Sequence, residues 1–261
     1  MCIQTIDQKV KEIKQSFRQM MDGATAQSMR QKGLDYHLNW GATIPRLREM
    51  ANEISSEVRG EDGEVRDYNE PQNIPLTPHS SPLNTLAIAL WKENVRECKI
   101  LATMLMPAEE TPPEVVDIWM EQTPTLEIAE QAAFNLYQHL PYAADKAFEW
   151  LASSDDLPQI CGYHVLSRLF MRGQEPNERG INEFLDQAQT ALAIGADSRV
   201  CPPMGLTRLE ACPTTDSRFS LSYTAALQKA AMQAVIHFAD LSIMHRRLAQ
   251  SATRRIGMSF L

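Results

Sequence analysis

Apolar residues recur along this chain at helical intervals. Leu83, Leu86, Ala87, Leu90 and Trp91 mark one face of a helix, and Leu126, Ala129, Ala133, Leu136 and Leu140 mark a second. Ala144, Ala147, Phe148 and Leu151 follow, then Ile181, Leu185, Ala188 and Leu192. Leu227, Ala230, Ala231, Ala234, Val235 and Phe238 form the longest stripe. No run of β-branched residues alternates at period two, so the pattern predicts an all-α chain. Prolines punctuate it. Thr111-Pro112-Pro113-Glu114 reads as a capping box, and Pro124, Pro141 and Pro158 stand where proline loses no hydrogen bond at a helix start.

Starts near 112, 124, 141 and 158 imply short helices joined by tight turns. A short helix cannot bury its stripe alone, so neighbours must stack, as in an α-solenoid of antiparallel helix pairs. Two segments break the rhythm: a polar, proline-bearing stretch at about 59–82 and an irregular connection at about 195–218. The reading is a single helical repeat domain over residues 1–261.

Three stretches carry a resemblance. The first runs from Gly33-Leu34-Asp35-Tyr36 through Gly41-Ala42-Thr43-Ile44-Pro45-Arg46-Leu47-Arg48. The second is Leu90-Trp91-Lys92-Glu93-Asn94-Val95-Arg96-Glu97 with Ile100, Leu101 and Ala102, and the third spans Ile118-Trp119-Met120 to Leu151-Ala152-Ser153-Ser154. Together, over roughly residues 10–195, they resemble the DNA alkylation repair family, alkylpurine DNA glycosylases built from HEAT-like helical repeats, of which this chain looks like a divergent member.

The resemblance implies release of cationic N3- or N7-alkylated purines, or DNA binding without that activity. The leaving base is already cationic, so the chemistry needs a carboxylate that stabilises positive charge on the sugar and orients water. Where the family carries tryptophan and then aspartate four residues later, this sequence has Leu126 and Glu130. Glu130 is therefore the catalytic candidate that the resemblance carries over, with Glu127 on the same helix face behind it. The family's arginine falls at or near Cys161, and a thiol cannot clamp a phosphate as a guanidinium does.

Charge shifts the weight further. The chain carries a formal net charge of -8, and residues 108–160 hold eleven carboxylates against Lys146 alone. DNA binding needs cations that displace condensed counterions. The basic cluster Arg246, Arg247, Arg254 and Arg255 is the candidate for phosphate contact; Arg247 and Arg254, seven apart, share a helix face. Lys9, Lys11, Lys14 and Arg18 form a plainer basic stripe near the start.

The partner that the resemblance implies is double-stranded DNA. The alternative is a non-catalytic HEAT-repeat scaffold that binds a protein. No cofactor or metal is expected, since the six histidines and five cysteines show no ligand spacing. Neither a signal-peptide pattern nor a membrane-spanning run is visible, which places the expectation in the cytoplasm.

Overall fold

A computed structural model describes residues 3–34, 36–61, 81–193 and 217–258. Among the described residues there are twelve α-helices and no strand, and no helix is long and apolar enough to cross a membrane. The chain divides into two compact units, Met1–Pro141 and Tyr142–Leu261.

The first unit holds α1 (Ile3–Gln19), α2 (Gly23–Gln31), α3 (Ile44–Glu61), α4 (Pro82–Trp91), α5 (Arg96–Leu105), α6 (Pro113–Glu121) and α7 (Leu126–Asn135). Short 3-10 turns at Ala108–Glu110 and Tyr137–His139 join them. The expected 83–91 stripe is the inner face of α4, where Leu86, Ala87, Leu90 and Trp91 are buried against α5. α5 also packs on α3 and α7, which makes it the centre of the unit. Its buried face includes Arg96, Glu97 and Lys99 beside Ile100 and Leu101.

The second unit holds α8 (Ala143–Leu151), α9 (Asp156–Met171), α10 (Glu178–Ala193), α11 (Ser217–Leu241) and α12 (Ile243–Arg255). α9 packs on both α8 and α11. Gly162 permits the first contact, because a Cβ there would lie 2.8 Å from the Ala147 carbonyl oxygen. Phe170, Phe184 and Phe238 meet at centroid distances of 5.1–5.5 Å and bring α9, α10 and α11 together in the core.

The helix starts expected near 112, 124, 141 and 158 fall at Pro113, Leu126, Ala143 and Asp156. The capping box at 111–114 does not form. A residue before proline is driven out of the helical region, so Pro112 is extended (ψ 154°) and α6 begins only at Pro113, with no side-chain cap. Thr111, now one residue too early, donates its hydroxyl back to the Pro107 carbonyl at 2.7 Å. The irregular stretches expected at about 59–82 and 195–218 lie mostly outside the described residues: α3 runs on to Glu61, α4 starts at Pro82, and α11 starts at Ser217.

Candidate functional site

The matched sequence stretches converge on one buried polar knot in the first unit. Between α2 and α3 the chain folds back, and Gly41 makes this possible. Its φ is +76°, and a Cβ there would lie 2.1 Å from the Asp22 carbonyl oxygen. The Asp22 N–H donates to the Trp40 carbonyl (2.9 Å), while the Asp22 carboxylate caps α2 through Ala24 and Thr25 N–H groups. The turn then presents its own N–H groups inward, where the Trp40 and Ala42 amides donate to Glu97 Oε1 at 3.1 and 3.2 Å.

Arg96 closes the arrangement. Its backbone N–H donates to the Leu38 carbonyl (3.0 Å), and its Nη1 donates to the Ala42 carbonyl (2.9 Å) and to Glu97 Oε1 (3.3 Å). Its Nε and Nη2 form a fork on Glu127 Oε2 and Oε1, at 2.9 and 2.5 Å. Tyr36 donates to the same Glu127 Oε2 at 2.5 Å and accepts from Thr125 at 2.9 Å. Arg96 is 1% exposed and Glu97 0%. A charge this deep persists only when paired and hydrogen-bonded.

Burial pushes the Glu127 carboxyl up, but the Arg96 hydrogen bonds and charge, with the Tyr36 hydroxyl, hold it below the ordinary carboxylate range. Burial and the neighbouring Glu127 charge push the Tyr36 phenol up. Arg96 is desolvated, yet its Glu127 hydrogen bonds and charge raise it, so it stays a cation. Glu127 therefore pins the start of α7 to α5 and to the 36–42 turn.

A second layer is just as enclosed. Trp91 and Trp119 stack at 4.2 Å with planes 4° apart, and Trp91 Nε1 donates to Gln122 Oε1. The Lys99 ammonium sits 4.3 Å from the Trp91 ring centroid and donates to the Trp91 carbonyl. All three side chains are buried, so these tryptophans join helices and offer no open face to a ligand.

Glu130 is placed differently. It is exposed on α7, one turn beyond Glu127 and one turn before Phe134, whose ring is 38% exposed and carries the Arg48 guanidinium 5.5 Å from its centroid. The two glutamates thus have different surroundings, one turned into the knot and one on the surface. Cys161 lies wholly inside the second unit on α9, where burial pushes its thiol up. Among the described residues no group of three histidine, cysteine, aspartate or glutamate side chains is placed to hold a metal.

The basic cluster lies on α12. Ser242 caps this helix, accepting the His245 N–H at 3.3 Å and contacting His245 Nδ1 at 2.7 Å. His245 Nε2 lies 3.0 Å from Glu175, and its ring packs edge-on against Phe238 at 4.7 Å. Buried His245, Ala249, Ala252 and Thr253 seat one side of the helix on the core. Arg246, Arg247, Arg254 and Arg255 are all exposed on the remainder. Arg246 pairs with Asp240 at 3.2 Å, while no ion pair engages Arg247, Arg254 or Arg255. Exposed Ile243, Met244 and Leu248 flank them. The basic stripe on α1 is largely engaged instead: Lys9 binds Glu57, Lys14 binds Glu93, and Arg18 lies over Trp40.

Arg96 and Tyr36 were not singled out by sequence reasoning as a pair. One signal was available: Arg96 and Glu97 open a helix whose Cys98, Ile100, Leu101, Ala102 and Leu105 are apolar on every side, which leaves the pair little room to reach solvent.

No protein-family model matches the chain, and no curated protein matches it. A solved structure does resemble it, with a TM-score of 0.65 and 13% identity over 96% of this chain and 84% of the other. That structure is described as representing a new family of proteins related to the HEAT-like repeat DNA glycosylases, with affinity for branched DNA structures. The likeness is one of fold, and it gives this chain an all-α fold similar to that of HEAT-like repeat proteins.

Proposed function

We propose that this protein binds DNA through the phosphate backbone and does not hydrolyse it, with Arg247, Arg254 and Arg255 as phosphate contacts. The observation that carries this reading is the α12 surface. It is a capped, continuous helix whose arginines are exposed and, for these three, free of carboxylates, on a chain that is acidic as a whole. Arg247 and Arg254 are seven residues apart, a rise of about 10.5 Å along the axis, within reach of successive or cross-groove phosphates. The fold likeness supports the same reading, because the related protein has affinity for branched DNA.

The non-hydrolytic part rests on the surroundings of the carboxylates. Glu127 is bound on both oxygens and serves the knot. Leu126, four residues before Glu130, stands where the resembled family carries tryptophan, and that family's arginine falls at or near Cys161, which is buried.

Fluorescence anisotropy with a labelled three-way junction and a duplex of the same sequence tests the binding. Saturable binding at micromolar protein, tighter for the junction, is expected; absence of binding to both at low salt overturns it. Release of 7-methylguanine or 3-methyladenine from alkylated DNA tests the chemistry. No release above background is expected, and release that Glu130→Gln abolishes would restore Glu130 as catalytic. A second reading, a scaffold for a protein partner, is favoured by Ile243, 74% exposed, and Met244, 63% exposed, beside the arginines. Loss of a copurifying protein on Ile243→Ser, with DNA binding absent, would select it.

A further inference from the structure

The second unit contains a cavity that neither the polar knot nor the α12 arginines use. It has a volume of about 580 Å³, within the ~300–1,000 Å³ range typical of small-molecule sites. Its floor is hydrocarbon: Phe148 from α8, and Leu166, Leu169 and Phe170 from α9. Of these, Leu166, Leu169 and Phe170 are core residues, so the floor is fixed by the same packing that holds the unit together.

The rim is charged, and unevenly so. Asp145 stands on the α8 side, Glu183 and Arg179 on the α10 side, and Glu175 on the turn between α9 and α10. Glu175 is held by buried His245. Asp145 and Glu183 take part in no ion pair, and Arg179, one turn before Glu183 on α10, does not bridge to it. Two uncommitted carboxylates therefore face a hydrocarbon floor from different helices. The α10 wall is shaped by a glycine that brings the backbone close. A Cβ on Gly180 would lie 3.2 Å from the Pro176 Cβ and 3.3 Å from Phe148 Cζ, so a larger side chain would narrow this wall. Asn177 fixes the same wall by capping α10, its Oδ1 accepting the Gly180 N–H at 2.8 Å.

We infer that this cavity is a binding site for an aliphatic diamine or polyamine, its methylenes on the phenylalanine and leucine floor and its ammonium groups on Asp145 and Glu183. The chemistry selects this class over others. A neutral hydrocarbon would leave the rim carboxylates unanswered. A dianion would meet three carboxylates against one guanidinium. A compact metal ion would find no cluster of ligands and would leave the floor bare. An amine joined to several methylenes satisfies floor and rim together.

Calorimetric titration of the full chain with 1,5-diaminopentane and with spermidine tests this, with 1,5-pentanediol as the uncharged probe of the same shape. Because the carboxylates are exposed and screened by salt, affinity on the order of 0.1–1 mM at low salt is expected, with no binding of the diol. Asp145→Asn and Glu183→Gln should each weaken the diamine about tenfold, as expected for loss of a charge-assisted contact. Ala144→Trp, on an exposed cavity residue of α8, should abolish binding without changing the circular dichroism spectrum or the melting temperature. Absence of diamine binding overturns the inference. Equal binding of the diol, or undiminished amine binding in Ala144→Trp, overturns it as well, since the amine would then recognise shape alone or the general acidity of the chain.

Discussion

Replacing Glu127 with glutamine tests whether the knot is a structural device or a site. The carboxylate receives three donors: Arg96 Nε at 2.9 Å, Arg96 Nη2 at 2.5 Å and the Tyr36 hydroxyl at 2.5 Å. An amide of the same shape offers one acceptor oxygen instead of two. Arg96 then keeps one arm of its fork, and the amide NH2 faces either a guanidinium N–H or the phenol. The loss is about one charge-assisted hydrogen bond with its ionic component, or roughly 2–3 kcal/mol. Glu127 is only 17% exposed, so solvent screening removes little of this. The pH dependence carries a definite sign. The carboxyl of Glu127 is depressed in the folded state from an ordinary value of 4.5. Its contribution is therefore fully present above about pH 4.5 and is lost as pH falls through the lower folded value. Urea unfolding followed by tryptophan fluorescence should show the gap of roughly 2–3 kcal/mol between wild type and variant at neutral pH, narrowing as the pH falls below the ordinary carboxyl value of 4.5. A gap under about 0.5 kcal/mol at neutral pH, or one that does not change with pH, would mean that the Glu127 carboxylate does not hold the knot together.

Three further outcomes follow from the same geometry. Gly41→Ala forces a side chain to within 2.1 Å of the Asp22 carbonyl at a φ of +76°, so it should cost at least about 2 kcal/mol, seen as a drop in melting temperature. Ser242→Ala removes the cap of α12 and should cost about 1 kcal/mol, with hydrogen exchange faster in α12 and unchanged in α9. Burial pushes the Cys98 thiol up to about 12 and Cys161 higher still, so residue-resolved alkylation of the native protein near neutral pH should leave both unmodified.

Much of the fold was legible because burial imposes a period on the sequence. The stripes at 83–91 and 227–238 are the inner faces of α4 and α11, and the helix starts lie within two residues of the prolines that announce them. What the pattern could not show was where hydroxyls point. Thr111 looks like a cap, but the double proline moves the helix start past it. The site was legible only in part. Tyr36, Gly41, Arg96 and Glu97 stand out in the sequence, yet their meaning lies in a meeting across 31–91 residues of chain, which no local pattern encodes. The resemblance carried by those residues is consequently a resemblance of scaffold, because they hold the turn and two helix ends in place. Glu127 and Glu130 share a helix face by spacing, but Arg96 claims only the first. The exposed arginines of α12 were visible as a cluster, whereas the pairing of Arg246 with Asp240, which leaves Arg247, Arg254 and Arg255 without an ion pair, depends on how the chain turns between α11 and α12.

The salt dependence of DNA binding separates phosphate contact by the α12 arginines from other modes of association. Each phosphate neutralised by an arginine contributes about -0.9 to the slope of log K against log salt on duplex DNA. If Arg247, Arg254 and Arg255 are the phosphate contacts, wild type should show a slope of at least about -2.7, and the double variant Arg247→Ala, Arg254→Ala should be shallower by about 1.8. A duplex titrated at several salt concentrations with both proteins gives the answer. An unchanged slope in the double variant, or no measurable binding by wild type at low salt, would contradict the account.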